Sequence, residues 1–241
     1  MFKRFYDSGW QHPGIAFLGL FPFLLAFATR QRFLLGFVAL FAYEILADAL
    51  FTGALNPARG LGFDSSIAIA FVILGDFRYF VVVEWALRRG SRDPGAIGPG
   101  PLSAWVVGLA FAFIVPVVST IPQLAMPQAF PSDDPYGLHR IFILYELLFL
   151  GLALVLRFVV LPRRLRGADP SVASWVLKLT MFEIAQYALW SGADAFILAT
   201  HADVGYLFRV VPNALYYALF VPFVWWTAPA SVREGKLAQT A

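Results

Sequence analysis

The sequence predicts an all-α, polytopic membrane protein: seven transmembrane helices in a 3+1+3 arrangement of parallel repeats, N-terminus out and C-terminus in. Three observations predict it. Of 241 residues, 60% are hydrophobic and only 14% charged, with a mean hydropathy of +0.71, which is too apolar for a core covered by a water-facing shell. Seven stretches approach the roughly 20 residues that a helix needs to cross a hydrocarbon layer of about 30 Å. Two of those stretches also resemble each other residue by residue.

The apolar stretches run over about 13–29, 33–55, 66–87, 102–122, 140–161, 172–198 and 204–227. The first is followed by Thr29-Arg30-Gln31-Arg32 rather than by a small-residue cleavage site, so it reads as a span and not as a leader. Connections such as Asn56–Gly60 and Asp93–Pro101 are short and rich in Gly and Pro. They leave no room for a soluble domain, and residues 1–241 form one membrane domain. The longest connection on the outer side, Met126 to Leu138, carries Pro127, Pro131, Asp133, Asp134 and Pro135 and reads as a connector or rim.

Orientation follows from the cations between the spans, because Lys and Arg are retained on the cytoplasmic side. One set of connections carries ten: Arg30, Arg32, Arg88, Arg89, Arg92, Arg163, Arg164, Arg166, Arg233 and Lys236. The other carries four: Lys3, Arg4, Arg59 and Arg140. The C-terminus is therefore expected inside, and seven spans put the N-terminus outside. The net charge of +3 follows from this asymmetry, and no basic face points to nucleic acid. Without cysteine there is no disulfide, thiolate ligand or thiol nucleophile.

The internal similarity pairs spans two and six. Tyr43-Glu44-Ile45-Leu46-Ala47-Asp48-Ala49-Leu50-Phe51-Thr52-Gly53-Ala54 aligns with Phe182-Glu183-Ile184-Ala185-Gln186-Tyr187-Ala188-Leu189-Trp190-Ser191-Gly192-Ala193. His12 and His139 also stand just before spans one and five. A first repeat over about 13–87, a linker helix over about 102–122 and a second repeat over about 140–227 account for both. In such architectures sites lie between the repeats near the midplane.

Seven acids fall within the spans: Glu44, Asp48, Asp76, Glu84, Glu146, Glu183 and Asp194. Arg78, Arg157, Lys178 and Arg209 accompany them. A charge at membrane depth costs on the order of 3 kcal/mol even on the lenient scale, so these groups are expected to face a shared interior. Glu44, Asp76, Glu183 and Asn213 fall near mid-membrane; Asp48, Glu146, Asp194 and Arg209 fall toward the outer side. Glu84, Arg157 and Lys178 lie toward the cytoplasm and are expected to snorkel. Glu44 and Asp48 are one turn apart on one face, whereas Asp76 and Arg78 point about 200° apart and should not serve one site.

Glu44, Glu183 and Asp194 are the candidate acids for chemistry. Asp48, Asp76, Tyr43, Tyr79, Glu146, Gln186, Tyr187, Trp190, Arg209, Asn213 and Tyr216 are the candidate substrate-binding residues, the aromatic members offering faces to a cation. His12, His139 and His201 show no ligand spacing, so no metal and no cofactor are expected. The seventh span has no Lys that might hold a retinal.

Around the first acid, Arg32-Phe33-Leu34-Leu35-Gly36-Phe37-Val38-Ala39-Leu40-Phe41-Ala42-Tyr43-Glu44-Ile45-Leu46, followed by Pro57, resembles the small integral-membrane terpene cyclases of fungal meroterpenoid and indole-diterpene pathways. The resemblance covers about 25 of 241 residues and the seven-span topology. It departs from that family at Leu40, usually Asn, and at Tyr43, usually Trp. It implies that Glu44, with an acid late in the chain (Asp194 or Glu183), protonates an epoxide on a prenyl chain and starts polycyclisation. The expected partners are the lipid bilayer and a lipophilic small molecule. The two other readings of the same acids are a 3+1+3 transporter that binds protons or a solute with its carboxylates, and a sensory receptor bundle.

Overall fold

The computed structural model describes residues 1–11, 14–57, 60, 64–90, 100–131, 134 and 136–234. His12, Arg59, Arg92, Asp133, Pro135 and Lys236, which the sequence reading used, lie outside the described residues. The chain is all-helical, with no strand among the described residues. A short helix α1 (Phe2–Tyr6) precedes an apolar segment α2 (Gly14–Phe27). The long helices follow: α3 (Arg32–Thr52), α4 (Asp64–Gly90), α5 (Ser103–Ala125), α6 (Gly137–Arg164), α7 (Pro170–Thr200) and α8 (Gly205–Thr227). A final turn, α9 (Ala230–Arg233), ends the described chain.

Four of these, α3, α5, α6 and α8, are long and apolar enough to cross a membrane. The 27-residue α4 and the 31-residue α7 have the length but carry the interior charges. α2 is apolar but short, and a 3-10 turn over Leu18–Leu20 interrupts it. The helices differ from the expected spans mostly at their ends. α3 stops at Thr52 rather than near 55, and α7 continues to Thr200 rather than 198.

Local chemistry sets these ends. The Gln31 side chain caps α3 by accepting from the backbone N–H groups of Phe33 and Leu34, supplying partners to donors that a helix start leaves open. Asp169 caps α7, accepting from Ser171 N at 2.8 Å and Val172 N at 3.3 Å, with Pro170 at the first helical position, where its missing N–H is not needed. α7 ends at His201, whose φ of 54° turns the chain left-handed. That strained conformation is held by stacking of His201 on Tyr136 with centroids 4.5 Å apart.

α6 and α8 each contain a π turn, Leu156–Val160 and Leu215–Leu219. Both precede a proline, Pro162 and Pro222. A proline ring collides with the carbonyl four residues back, and a widened turn relieves that collision. In α8 the extra residue of the π turn lets the adjacent Tyr216 and Tyr217 both point inward, where they are buried.

The long helices close a ring. α3 packs on α2 and α4, α4 on α5, α5 on α6, α6 on α7 and α7 on α8, while α8 returns to α3 and α2. Across the middle α4 also packs on α7. The core runs along this ring and holds Leu34, Phe37, Phe41 and Ile45 of α3 against Trp85, Phe149, Trp175 and Phe220.

α4 and α5 approach most closely at Gly108, where an added Cβ would lie 2.9 Å from the Val81 Cα and N. Backbone atoms cannot step aside. Gly108→Ala is therefore expected to destabilise the protein by about 1–3 kcal/mol. Gly151→Ala, with nothing within 4 Å, should be neutral or stabilising, because Ala is the better helix former. Thermal unfolding of the two variants in detergent checks this pair; equal midpoints would contradict the close approach.

Candidate functional site

The interior polar residues sort into two groups joined by a tryptophan. The first group lies at the α3–α4–α7–α8 junction. α3 contributes Glu44 and Asp48 from successive turns, α4 contributes Asp76 and Arg78, and α7 contributes Glu183, Gln186 and Tyr187; all are buried. The hydroxyls of Tyr145 and Tyr187 both donate to Asp76, one to each carboxyl oxygen. Asp48 accepts from Thr52 Oγ1 at 3.0 Å and faces the hydroxyls of Tyr216 and Tyr217.

Arg78 stands at the centre of this group and is only 1% exposed. Its guanidinium lies 3.9 Å from the Tyr216 ring centroid and 4.8 Å from that of Phe220. Glu44, Asp48, Asp76 and Glu183 all lie within electrostatic range of its charge. Nε and Nη1 of Arg78, both carboxyl oxygens of Glu44 and Oε1 of Gln186 have no hydrogen-bond partner among the described residues. Buried polar groups rarely stay unpaired, so these atoms mark a place where water or a ligand completes the arrangement. The site also needs Gly75: a Cβ there would sit 1.8 Å from the Tyr216 hydroxyl, and its absence lets Tyr216 lie across α4 beside Arg78.

The geometry leaves a charge problem. One guanidinium faces four carboxyls, and buried charges persist only when balanced.

The second group lies toward the end where α1 sits. Asp194 accepts from His139 Nδ1 at 2.9 Å and from Arg209 Nη1. Arg209 Nη2 lies 3.7 Å from Glu146 Oε1, and Arg209 Nε donates to the Tyr6 hydroxyl at 3.0 Å. The Tyr206 hydroxyl is 3.2 Å from the other ring nitrogen of His139. α1 covers this group, and Asp203 fastens α1 by accepting from the terminal ammonium at 2.5 Å, Phe2 N at 2.7 Å and Lys3 N at 2.9 Å. Those contacts hold the Asp203 carboxyl down at about 2.

Trp190 connects the groups. Its Nε1 donates to Asn213 Oδ1 at 2.8 Å, and Asn213 Nδ2 donates to Tyr6 at 3.3 Å. Its ring lies 5.4 Å from both Tyr187 and Tyr216. On α6 the neighbours Tyr145 and Glu146, about 100° apart, serve one group each.

Five sequence expectations change. Tyr43 is 66% exposed on the outer face of α3, so it leaves the candidate set although it adjoins Glu44. Tyr79 is buried but donates to Thr180 at 3.0 Å and packs on Phe80 and Phe149, a role in helix packing. Glu84 does not snorkel: it is buried and held by Arg164, with Nη2 donating to Oε2 at 3.0 Å. Asp76 and Arg78 do meet one site, because α4 sits between helices that contribute to it from both sides. Asp194 and Glu183 separate: Glu183 shares Arg78 with Glu44, while Asp194 belongs to the second group. The sequence reading did not select Arg78, His139, Tyr145, Tyr217 or Tyr6. Their signal was weak, because their partners lie on other helices, as with His139 and Asp194, 55 residues apart.

Removing Arg209 would leave Asp194 and Glu146 without their cation. Arg209→Met is expected to cost about 3–5 kcal/mol, the usual penalty for breaking one side of a buried pair. Adding Asp194→Asn and Glu146→Gln should recover much of it, since no charge is then stranded. A multiple-mutant cycle on detergent-solubilised protein measures the recovery; an Arg209→Met protein as stable as the parent would contradict the pairing. No protein-family model, curated protein or solved structure matches this chain.

Proposed function

We propose that the chain spans the membrane seven times and is an enzyme that protonates a lipophilic substrate from Glu44, starting a cyclisation or related isomerisation. α2, α4 and α7 join the four apolar helices as spans in this reading. α4 and α7 fit because Asp76, Arg78 and Glu84 of α4 and Glu183 and Asp194 of α7 are buried inside the ring. The 3+1+3 organisation is supported by the packing: the third helix of each repeat lies on the second helix of the other, α4 on α7 and α8 on α3. The orientation is supported by the clustering of Arg88 and Arg164 around Glu84 at one end, far from Asp203 and α1. A reporter fused to the C-terminus is expected to be active only in the cytoplasm. Activity outside would overturn the orientation or the span count.

The observation that carries the enzymatic reading is the four-carboxyl group around Arg78, with Glu44 unpaired and Arg78 beside the Tyr216 and Phe220 rings. In the proposed reaction Glu44 gives its proton to an epoxide oxygen or alkene carbon of the substrate. The cation so formed closes carbon–carbon bonds within the substrate. The Trp190 ring, on which no cation lies among the described residues, stabilises it by about 0.5–2 kcal/mol. Glu183, across Arg78 from Glu44, accepts the proton released when the cation collapses. Proton gained equals proton lost, so the reaction is an isomerisation. Transfer of that proton from Glu183 back to Glu44, with Asp48 one turn from Glu44 as the intermediate carrier, restores the starting state. The prenyl character of the substrate is what the resemblance around Glu44 implies.

One observation favours a second reading, proton-coupled transport. Titratable groups continue from the first group in both directions, to Asp194, His139 and Arg209 at one end and to Glu84 and Arg164 at the other. Such chains serve as proton relays in pumps and transporters. The two readings differ in what leaves the protein. Membranes given epoxidised prenyl substrates should yield a product of unchanged mass and altered retention on chromatography. Glu44→Gln should lower the rate at least about 100-fold while the protein stays folded. If wild-type membranes convert none of a broad panel but take up a solute in a Glu44-dependent manner, the enzymatic reading fails and transport replaces it.

A further inference from the structure

The cations Arg157 and Lys178 take no part in either interior group, and they face a groove on the outside of the bundle. The groove has a volume of about 740 Å³ and lies between the π turn of α6, the first three turns of α7 and the end of α8. Its α7 wall is a single helical stripe, Pro170, Ala173, Ser174, Leu177, Lys178 and Met181. Phe182 and Phe223 complete an apolar bed on the side nearer the middle of the bundle.

Both cations lack an acidic partner. Among the described residues neither forms an ion pair, whereas Arg88 and Arg164 at the same end are both paired with Glu84. Arg157 Nε is buried and has no hydrogen-bond acceptor. Asp169, at the start of α7, caps that helix. Neither cation stands at a helix end. Lys178 is eight residues into α7 and Arg157 seven residues before the end of α6, so each lies about 10–12 Å inside. At that depth a long basic side chain runs toward the surface and takes an anion there. The π turn turns Arg157 toward this groove, with its guanidinium 5.4 Å from the Phe158 ring.

We propose that this groove is a binding site for an anionic phospholipid: Arg157, Lys178 and the Ser174 hydroxyl take the phosphate, and Leu177, Met181, Phe182 and Phe223 bed the first part of an acyl chain. Two features together select this occupant. A soluble anion would have no use for the apolar bed, and a neutral lipid would leave both cations uncompensated. The site requires only that α6 to α8 lie in a bilayer, so its fate is independent of the chemistry assigned to Glu44.

The test is a titration of the detergent-solubilised full chain with phosphatidylglycerol and with phosphatidylcholine, followed by native mass spectrometry. The unaltered protein should prefer phosphatidylglycerol by about 30-fold, the effect of two basic side chains at an anionic membrane surface. Arg157→Gln with Lys178→Gln should abolish the preference. Arg163→Gln with Arg166→Gln, exposed cations at the same end, should keep it. Equal affinity of the unaltered protein for the two lipids would overturn the proposal without recourse to any variant. So would a preference that survives the Arg157/Lys178 change, or displacement of the lipid by millimolar inorganic phosphate, which would make the site one for free anions.

Discussion

A guanidinium that cannot reach water sets the terms for the interior of this protein. Arg78 sits in the middle of a 27-residue helix, too far from either end to snorkel. The chain answers with acids from three helices and two aromatic faces. Each acid brought in to compensate Arg78 then needs its own solvation. Asp76 finds it in two tyrosine hydroxyls and Asp48 in Thr52, while Glu44 has no protein partner at all among the described residues. The unsolvated acid is the one with reactive potential. Fully satisfied carboxyls hold a structure together, whereas an unpaired one holds free energy that a substrate or water can release.

Backbone irregularities make this crowding possible. An unbroken α8 would point consecutive tyrosines about 100° apart, and only one would reach the site. The π turn before Pro222 brings Tyr216 and Tyr217 in together, and Gly75 clears the surface of α4 on which Tyr216 rests. The same device before Pro162 turns Arg157 outward to the groove. π turns often mark functional positions. Here they have an identifiable cause, a proline whose ring the regular ladder cannot accommodate.

Much of this was legible in the sequence because it depends on short-range patterns. Helix positions follow from apolar run length, and burial of Glu44, Asp76, Glu183 and Asp194 follows from the cost of exposing them to lipid. What was illegible depends on helix rotation and partner choice. Tyr43 adjoins Glu44 yet faces outward, because one residue is about 100° on a helix and no sequence term fixes the zero of that angle. Glu84 was read as snorkelling because its partner Arg164 lies 80 residues away. The 200° between Asp76 and Arg78 would separate them only on a helix with one interior face. α4 is surrounded by α3, α5 and α7, so it has more than one.

The separation of the two polar groups also bears on how the protein divides stability from function. In the second group Arg209 ties Asp194, Glu146 and Tyr6 together, and α1 closes over the set. Such a network locks α6, α7 and α8 to one another at that end, as the Glu84–Arg164 pair locks α4 to α6 at the other. Between these two fastened ends lies the group in which four carboxyls face one guanidinium and Glu44 has no protein partner among the described residues. Strain of that kind persists only where the surroundings hold it in place. The ion-paired groups at both ends hold in place the helices that carry the middle group, and Trp190, bonded to Asn213 on one side and packed on Tyr187 and Tyr216 on the other, lies between the two polar groups.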